Sequence, residues 1–210
     1  MKLFRLNDKR GFRLIQVNST KSPTMTPNTS HDAVPIRSLH HFAWRCRDAE
    51  ETRHFYEDLL GLPLVHVIKS DIVPSTGEYC PYVHIFFQMR DGSYIAFFDL
   101  GDDTASAPSP NTPAWVNHLA LRVDSVAELL QAKARLQAAG IEVLGVTDHH
   151  IIKSIYFFDP NGIRLELTTP TVDVGEMNTL AQRAHQEVRE WTALKAQKRN
   201  TPAQAQDAHV

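Results

Sequence analysis

Alternating apolar and polar residues form short runs along the chain, and the same order of runs occurs twice. The segments His41–Arg45 (HFAWR) and His118–Arg122 (HLALR) both alternate with a period of two, which is typical of a β-strand with one buried face. In each segment His, Ala and Arg fall on one face and bulky apolar residues fall on the other. The pattern therefore predicts that each copy opens with a strand that presents a histidine.

A capped helix is predicted to follow each of these strands. Asp48 with Glu51, and Ser125 with Glu128, have the spacing of a capping box. Apolar residues then recur at helical spacing in both copies. Each helix is predicted to end at a glycine that adopts the left-handed conformation, and the two glycines are Gly61 and Gly140.

Three further strands are predicted in each copy. The predicted strands of the first copy are Leu64–Ile68, Tyr82–Met89 and Tyr94–Leu100, and those of the second are Glu142–Val146, Ser154–Phe158 and Arg164–Thr168. The repeated unit is thus β-α-β-β-β, and its period is too long for a solenoid. We expect an α+β fold in which two βαβββ modules form a curved mixed sheet around a shared interior.

The segment Thr147–Glu166 carries the strongest functional pattern. The residues Asp159–Gly162 (DPNG) strongly favour a tight turn, and they lie between two segments rich in β-forming residues. His149 and Tyr156 precede the turn, and Glu166 lies on the returning strand. The predicted hairpin therefore places one hard metal ligand beside two groups that can transfer protons.

Composition narrows the class of protein. The chain has 210 residues, 42% of them hydrophobic, and a formal net charge of −2, which argues against general binding to nucleic acids or membrane surfaces. No apolar run approaches the length that spans a bilayer. Cys46 and Cys80 suggest reduced thiols rather than a disulfide framework. We expect a cytoplasmic protein whose partner is a small-molecule substrate.

The domain organisation follows from these patterns. The proline-containing segment Gly101–Pro113 separates the two modules, and it could let them pair within one chain or exchange between the two chains of a homodimer. The C-terminal helix carries an apolar stripe that could cover the modules or form a dimer interface. The expected divisions are a disordered or extended segment 1–35, the paired modules 36–172 (about 36–100 and 114–172), a helix 173–198 and a disordered tail 199–210.

The duplicated unit and the hairpin resemble the vicinal oxygen chelate superfamily over about residues 36–172. This superfamily includes glyoxalase I, fosfomycin-resistance thiol transferases, bleomycin-resistance proteins and extradiol ring-cleaving dioxygenases. In it, the first and last strands of each module present metal ligands to a metal-centred cavity. The matching positions are His41, Ala96, His118 and Glu166, so alanine stands where a four-ligand member has glutamate. The resemblance implies a metal site of His41, His118 and Glu166.

Two imidazoles with one carboxylate are the set associated with non-haem Fe(II), and they also accommodate Mn(II), Zn(II) or Ni(II). The segment Thr147–Glu166 resembles the extradiol dioxygenase signature most closely. That resemblance implies that His149 and Tyr156 hydrogen-bond the substrate and handle protons. His84 is expected to be a further acid or base in the cavity. The expected function is an Fe(II)-dependent extradiol-type dioxygenase that acts on a catecholic or other vicinal-oxygen substrate.

Several alternatives remain open on the sequence alone. A glyoxalase-like isomerase, lyase or thiol transferase would use a non-redox metal, and a sequestering resistance protein would use none. Tyr156 and His84 could be ordinary core residues, and either His149 or His150 could be a simple loop residue. Arg45 and Arg122 could clamp an anionic substrate or pair with local acids.

Overall fold

The computed structural model describes residues 35–200. Within this range the chain forms two similar halves, each with one strand, one helical segment and three more strands. The first half comprises β1 (His41–Arg45), α1 (Ala49–Arg53) with a π-helical continuation (His54–Leu59), β2 (Leu64–Ile72), β3 (Tyr79–Gln88) and β4 (Tyr94–Asp99). The second half comprises β5 (Leu119–Arg122), α2 (Val126–Ala138), β6 (Leu144–Asp148), β7 (Ile152–Phe158) and β8 (Arg164–Pro170), and α3 (Val174–Asn200) follows it.

The strands form two separate four-stranded mixed sheets. Their orders are β1-β4-β3-β2 and β5-β8-β7-β6, so both halves have the same topology. In each sheet the first strand runs parallel to the last, and the other neighbours are antiparallel. The expected α+β fold of two βαβββ modules is therefore confirmed, with one sheet for each module.

The predicted helix caps are present. The Asp48 side chain accepts a hydrogen bond from the Glu51 amide, and the Ser125 side chain accepts one from the Glu128 amide. Gly61 is left-handed with φ of 79°, as expected for a residue that ends a helix. Because these signals are local, they could be identified from a few neighbouring residues.

The first helix differs from the prediction of a regular α-helix. From His54 onward it becomes a π-helix, and the Leu60 amide donates to the Phe55 carbonyl. The wider turn changes the facing of successive side chains, and the adjacent residues Phe55 and Tyr56 are both buried. Periodicity did not reveal this change, because it assumes one constant helical repeat.

The β2–β3 hairpin is longer than predicted. Its backbone pairing continues through Lys69, Ser70 and Ile72, although the apolar pattern weakens there. A turn follows in which the Gly77 amide donates to the Val73 carbonyl at 2.8 Å. The hairpin extends the first sheet because backbone hydrogen bonds, unlike apolar alternation, do not require a buried face.

The turn of the β7–β8 hairpin lies against the first module's helix. Tyr56 donates a hydrogen bond from its hydroxyl to Asp159 Oδ2 at 3.0 Å. Asn161 donates to Thr52 Oγ1 at 3.1 Å and accepts from the Arg47 amide at 2.9 Å. Asp159 and Asn161 are both 5% exposed. The turn thus fastens the second module to the helical side of the first.

The C-terminal helix α3 spans 27 residues. Its apolar stripe is largely open: Leu180 is 39%, Val188 67% and Leu194 41% exposed. No helix in the described range is long and apolar enough to cross a membrane. The predicted disorder of the two chain ends concerns mostly residues 1–34 and 201–210, which lie outside the described part of the chain.

Candidate active site

The second module contains a histidine–carboxylate pair whose carboxylate is buried. Glu166 lies in the middle strand β8, between Ala120 on β5 and Tyr156 on β7, and is 3% exposed. His118 lies one residue before β5, and its Nε2 is 2.9 Å from Glu166 Oε2. Because both residues lie at the same end of neighbouring parallel strands, the pairing of β5 with β8 brings their side chains together.

The hydrogen bonds of this pair indicate a place for a cation. The His118 Nδ1 atom lies 3.0 Å from the Val116 carbonyl, to which it can only donate. In a neutral imidazole the Nε2 atom then carries a lone pair and faces the carboxylate, which also only accepts. The other oxygen, Glu166 Oε1, is buried and has no hydrogen-bond partner among the described residues. A cation between the imidazole nitrogen and the carboxylate would satisfy both acceptors, so the residues present fit part of a metal site.

A tyrosine and a histidine adjoin this pair. Tyr156 is the cross-strand partner of Glu166, and its hydroxyl is 2.7 Å from His149 Nε2. Burial, with a further effect from the Glu166 charge, raises the pKa of Tyr156 above its ordinary value, so the phenol keeps its proton near neutral pH. The predicted hairpin therefore does bring His149, Tyr156 and Glu166 into one continuous group of side chains.

Arg164 lies on the same face of β8 as Glu166. The sequence analysis did not predict that it belongs to the site. Its guanidinium carbon lies 4.1 Å from the centre of the Tyr156 ring, and it donates to the Trp115 carbonyl at 2.6 Å. The available signal was its position two residues before Glu166, which places both side chains on one face of β8. The Trp115 side chain is itself 69% exposed.

The first module presents a second set of imidazoles. His41 is exposed at the start of β1, where its ring centre lies 6.2 Å from that of His84 and 5.8 Å from that of Phe86. His40 is exposed as well. Strand alternation predicts His40 on the opposite side of the strand, yet its Nδ1 atom lies 2.8 Å from that of His41. The backbone before β1 does not alternate as a regular strand would, so the two rings meet.

His84 is 7% exposed, and its Nε2 atom has no hydrogen-bond partner in the described residues. Burial, with smaller contributions from His41 and His66, lowers the pKa of His84 to about 4. The imidazole is therefore neutral at physiological pH. Its ring stacks on Phe98 with 3.6 Å between ring centres, so aromatic packing holds the side chain on the same sheet face as His41.

The first module has no carboxylate at the strand position that corresponds to Glu166 in the second module. Ala96 occupies this position, fully buried between Ala43 and Phe86. Asp99 is engaged elsewhere, since it accepts from the amides of Ala49 and Gly101.

The expected three ligands do not meet within one chain. In residues 35–200, no three side chains of His, Cys, Asp or Glu come together in a way that could hold a metal ion. His41 belongs to the first sheet, whereas His118 and Glu166 belong to the second. The contact between the two modules is made instead by the Asp159–Gly162 turn, which is hydrogen-bonded to the first module's helical segment.

The two arginines at the far ends of β1 and β5 differ in their surroundings. Arg45 forms a salt bridge with Asp102, so its charge is already neutralised. Arg122 is exposed on β5. Of the two alternatives left open for Arg45, pairing with a local acid is therefore the one that the structure shows.

The chain thus repeats a βαβββ module, with His41 at the start of β1 and His118 just before β5. The family model of the Glyoxalase/Bleomycin resistance protein/Dioxygenase superfamily matches residues 38–167, and the chain belongs to this superfamily. The uncharacterized protein YwkD of Bacillus subtilis (strain 168) is 30% identical over 135 residues, which are 63% of this chain and 96% of that protein.

Solved structures share the fold. A glyoxylase/bleomycin resistance protein/dioxygenase domain from Frankia sp. EAN1pec has a TM-score of 0.53 and 17% identity, covering 65% of this chain and 99% of that one. A mutant of the fosfomycin resistance protein FosX from Listeria monocytogenes, complexed with Mn(II) and 1S,2S-dihydroxypropylphosphonic acid, has a TM-score of 0.49 and 20% identity. That comparison covers 68% of this chain and 98% of FosX.

Proposed function

We propose that this protein is a divalent-metal enzyme whose centre is completed by a second copy of the chain. His41 of one copy would join His118 and Glu166 of the other, which gives two equivalent centres in a homodimer. The buried Glu166 carboxylate carries this proposal. One of its oxygens faces an imidazole nitrogen at 2.9 Å, and its other oxygen has no partner among the described residues.

The position of the half-sites supports completion between copies. His41 begins β1 and His118 precedes β5, and these are edge strands of their respective sheets. An open strand edge is a common place for association between chains. On the other face of β1, Phe42 stacks on Trp44, which is 38% exposed. Placing β1 of one copy beside β5 of another would bring the histidines together and cover this apolar pair.

The metal, when bound, would polarise two neighbouring oxygens of a chelating substrate and neutralise their charge. Around it, the residues of this chain bind and move protons. Tyr156 keeps its proton near neutral pH and can donate a hydrogen bond to a substrate oxygen that gains negative charge. His149, joined to the Tyr156 hydroxyl, can accept or return the proton. His84 is neutral and lies beside His41, where it can hydrogen-bond a substrate after a small ring movement.

Ring cleavage of a catechol by an extradiol-type dioxygenase is the specific reaction that we propose. With Ala96 in place of a fourth ligand, the set is two imidazoles and one carboxylate, which suits Fe(II) and leaves positions for substrate and dioxygen. The bond between His149 and Tyr156 provides a proton relay next to that set. The Asp159–Gly162 turn is part of the dioxygenase signature, but it does not support this reaction, because the turn contacts the other module.

A subunit-mixing experiment tests the shared centre. His41→Ala and His118→Ala are purified separately, and neither homodimer should bind metal at the centre. After the two are mixed, unfolded and refolded together, half of the dimers should be hybrids with one intact centre of two. Metal content should therefore recover to about a quarter of the wild-type value. No recovery in refolded, dimeric material would contradict the shared centre.

The reaction is tested on protein purified without oxygen. Iron content together with oxygen consumption in the presence of catechol supports the dioxygenase. Zinc or nickel at full occupancy with no oxygen uptake, even after reloading with Fe(II), would contradict it and favour a glyoxalase-like isomerase, lyase or thiol transferase. Absence of any metal binding, with stoichiometric capture of a large organic ligand, would instead indicate a sequestering protein.

A further inference from the structure

The turn that precedes β5, residues 113–117, determines the orientation of His118. His118 lies one residue before β5, so the pairing of β5 with β8 begins only after it. Within the turn, the Val116 amide donates to the Pro113 carbonyl at 3.0 Å. The Val116 carbonyl then accepts from His118 Nδ1, also at 3.0 Å. The placement of the imidazole therefore depends on how firmly the 113–117 turn is held.

Arg164 connects this turn to the second sheet. It is the first residue of β8, and the parallel register of β5 with β8 places it beside His118. Its guanidinium donates a hydrogen bond to the Trp115 carbonyl at 2.6 Å. Trp115 and Val116 are consecutive, so the carbonyl that Arg164 holds and the carbonyl that orients His118 belong to neighbouring peptide units. A displacement of the first carbonyl therefore displaces the second.

The ring of Tyr156 supports the Arg164 side chain. The guanidinium carbon lies 4.1 Å from the ring centre, within the range of a cation–π interaction. Because the guanidinium is flat, it can lie on the ring and still donate in its own plane to a carbonyl at the edge. The Tyr156 ring lies edge-on to the His118 ring, with 6.1 Å between their centres. The support, the arginine and the histidine thus form one group of contacts.

We infer that Arg164, seated on the Tyr156 ring, is a positioning residue that holds the 113–117 turn and thereby orients His118 toward Glu166. The inference rests on the proposed function only in that His118 is taken to be a metal ligand. Removal of a group that orients a ligating histidine commonly weakens metal binding by about 10–100-fold. Arg164 acts through one further link of backbone, and it comes from the strand that carries Glu166.

The sign of the effect distinguishes positioning from simple electrostatics. A guanidinium near the centre repels a divalent cation, so loss of its charge alone should strengthen metal binding. Loss of positioning should weaken it. Arg122 provides the matched control for charge, because it is exposed on β5 and alternation places it on the same face as His118.

Binding of Mn(II) to the full-length protein tests the inference. Arg164→Met keeps the length of the side chain, and calorimetry should show binding weakened at least about tenfold. Arg164→Lys should lose less, because its ammonium can still donate to the carbonyl. Arg122→Met should bind as tightly as wild type or more tightly. Binding by Arg164→Met that equals or exceeds that of wild type or of Arg164→Lys would overturn the inference, as would equal weakening in Arg122→Met.

A second measurement follows the orientation of His118 in metal-free protein. With isotope-labelled histidine, nuclear magnetic resonance should show a slowly exchanging Nδ1 proton, because that proton is bonded to the Val116 carbonyl. His118→Ala identifies the signal by its loss. The proton should exchange at least about tenfold faster in Arg164→Met, with the folded state retained in urea titration, and at the wild-type rate in Arg122→Met.

This signal separates failure of the inference from failure of the proposed function. If the wild-type protein binds no Mn(II), the proposed function is wrong, and faster exchange in Arg164→Met still supports the positioning of His118. An unchanged exchange rate in Arg164→Met overturns the inference whatever the metal does. Should that variant fold poorly, Tyr156→Leu removes the supporting ring and Tyr156→Phe keeps it. Exchange should be faster in the first only, and equal rates in the two would overturn the inference.

Discussion

The hydrogen bond between Tyr56 and Asp159 is expected to hold the two modules together, and Tyr56→Phe removes it with little change in shape. Tyr56 is fully buried and Asp159 is 5% exposed, so water cannot readily replace the lost hydroxyl. The remaining side-chain donor to Asp159 Oδ2 is Asn161 Nδ2, at 3.3 Å. Hydrogen bonds to charged groups contribute roughly 1.5–3 kcal/mol. We expect the free energy of unfolding to fall by about 2 kcal/mol.

The loss of stability caused by Tyr56→Phe should depend on pH. Burial raises the pKa of Asp159 above its ordinary value, and the hydrogen bond from Tyr56 partly opposes that rise. Without the hydroxyl the folded-state pKa rises further, so the variant gains stability relative to wild type as pH falls and the carboxyl is protonated. The difference between variant and wild type should therefore be largest near about pH 8 and smaller near about pH 5.

Urea unfolding followed by circular dichroism at both pH values measures the difference. A loss of about 2 kcal/mol moves the midpoint by roughly 1 M urea for ordinary values of the denaturant dependence. Tyr79→Phe is the matched control, because Tyr79 is 72% exposed, and it should change stability by less than about 0.5 kcal/mol. A similarly small effect for Tyr56→Phe, or an effect equal at both pH values, would refute the reasoning.

Three other changes test the candidate active site. Glu166→Gln should weaken binding of Mn(II) by at least about tenfold while the fold is kept; calorimetry that shows wild-type affinity would contradict its role as a ligand, and exposed Glu142→Gln is the control. Tyr156→Phe should lower kcat by roughly 10²-fold with metal content unchanged; unaltered kcat would make the tyrosine a packing residue only. Trp44→Ser should weaken self-association in analytical ultracentrifugation, because it opens the stacked pair on β1; an unchanged dimer would place the interface elsewhere.

The sequence by itself determined the repeated β-α-β-β-β order and the faces of its strands. Asp48 and Ser125 mark the helix starts, and Gly61 marks a helix end, close in sequence to the features they control. The alternation around Glu166 likewise placed Tyr156 opposite it, since neighbouring strands of a hairpin must align their faces. Such features are local, and short-range backbone geometry fixes them.

Only the tertiary structure decided how the modules are arranged and therefore where the candidate centre is incomplete. The contacts of Tyr56 with Asp159 and of Thr52 with Asn161 join residues that are far apart in the chain. Periodicity says which face a side chain occupies on its own strand, but it carries no information about which distant surface that face meets. The separation of His41 from His118 and Glu166, and the packing of Phe98 on His84, depend on the shapes of side chains from several elements at once.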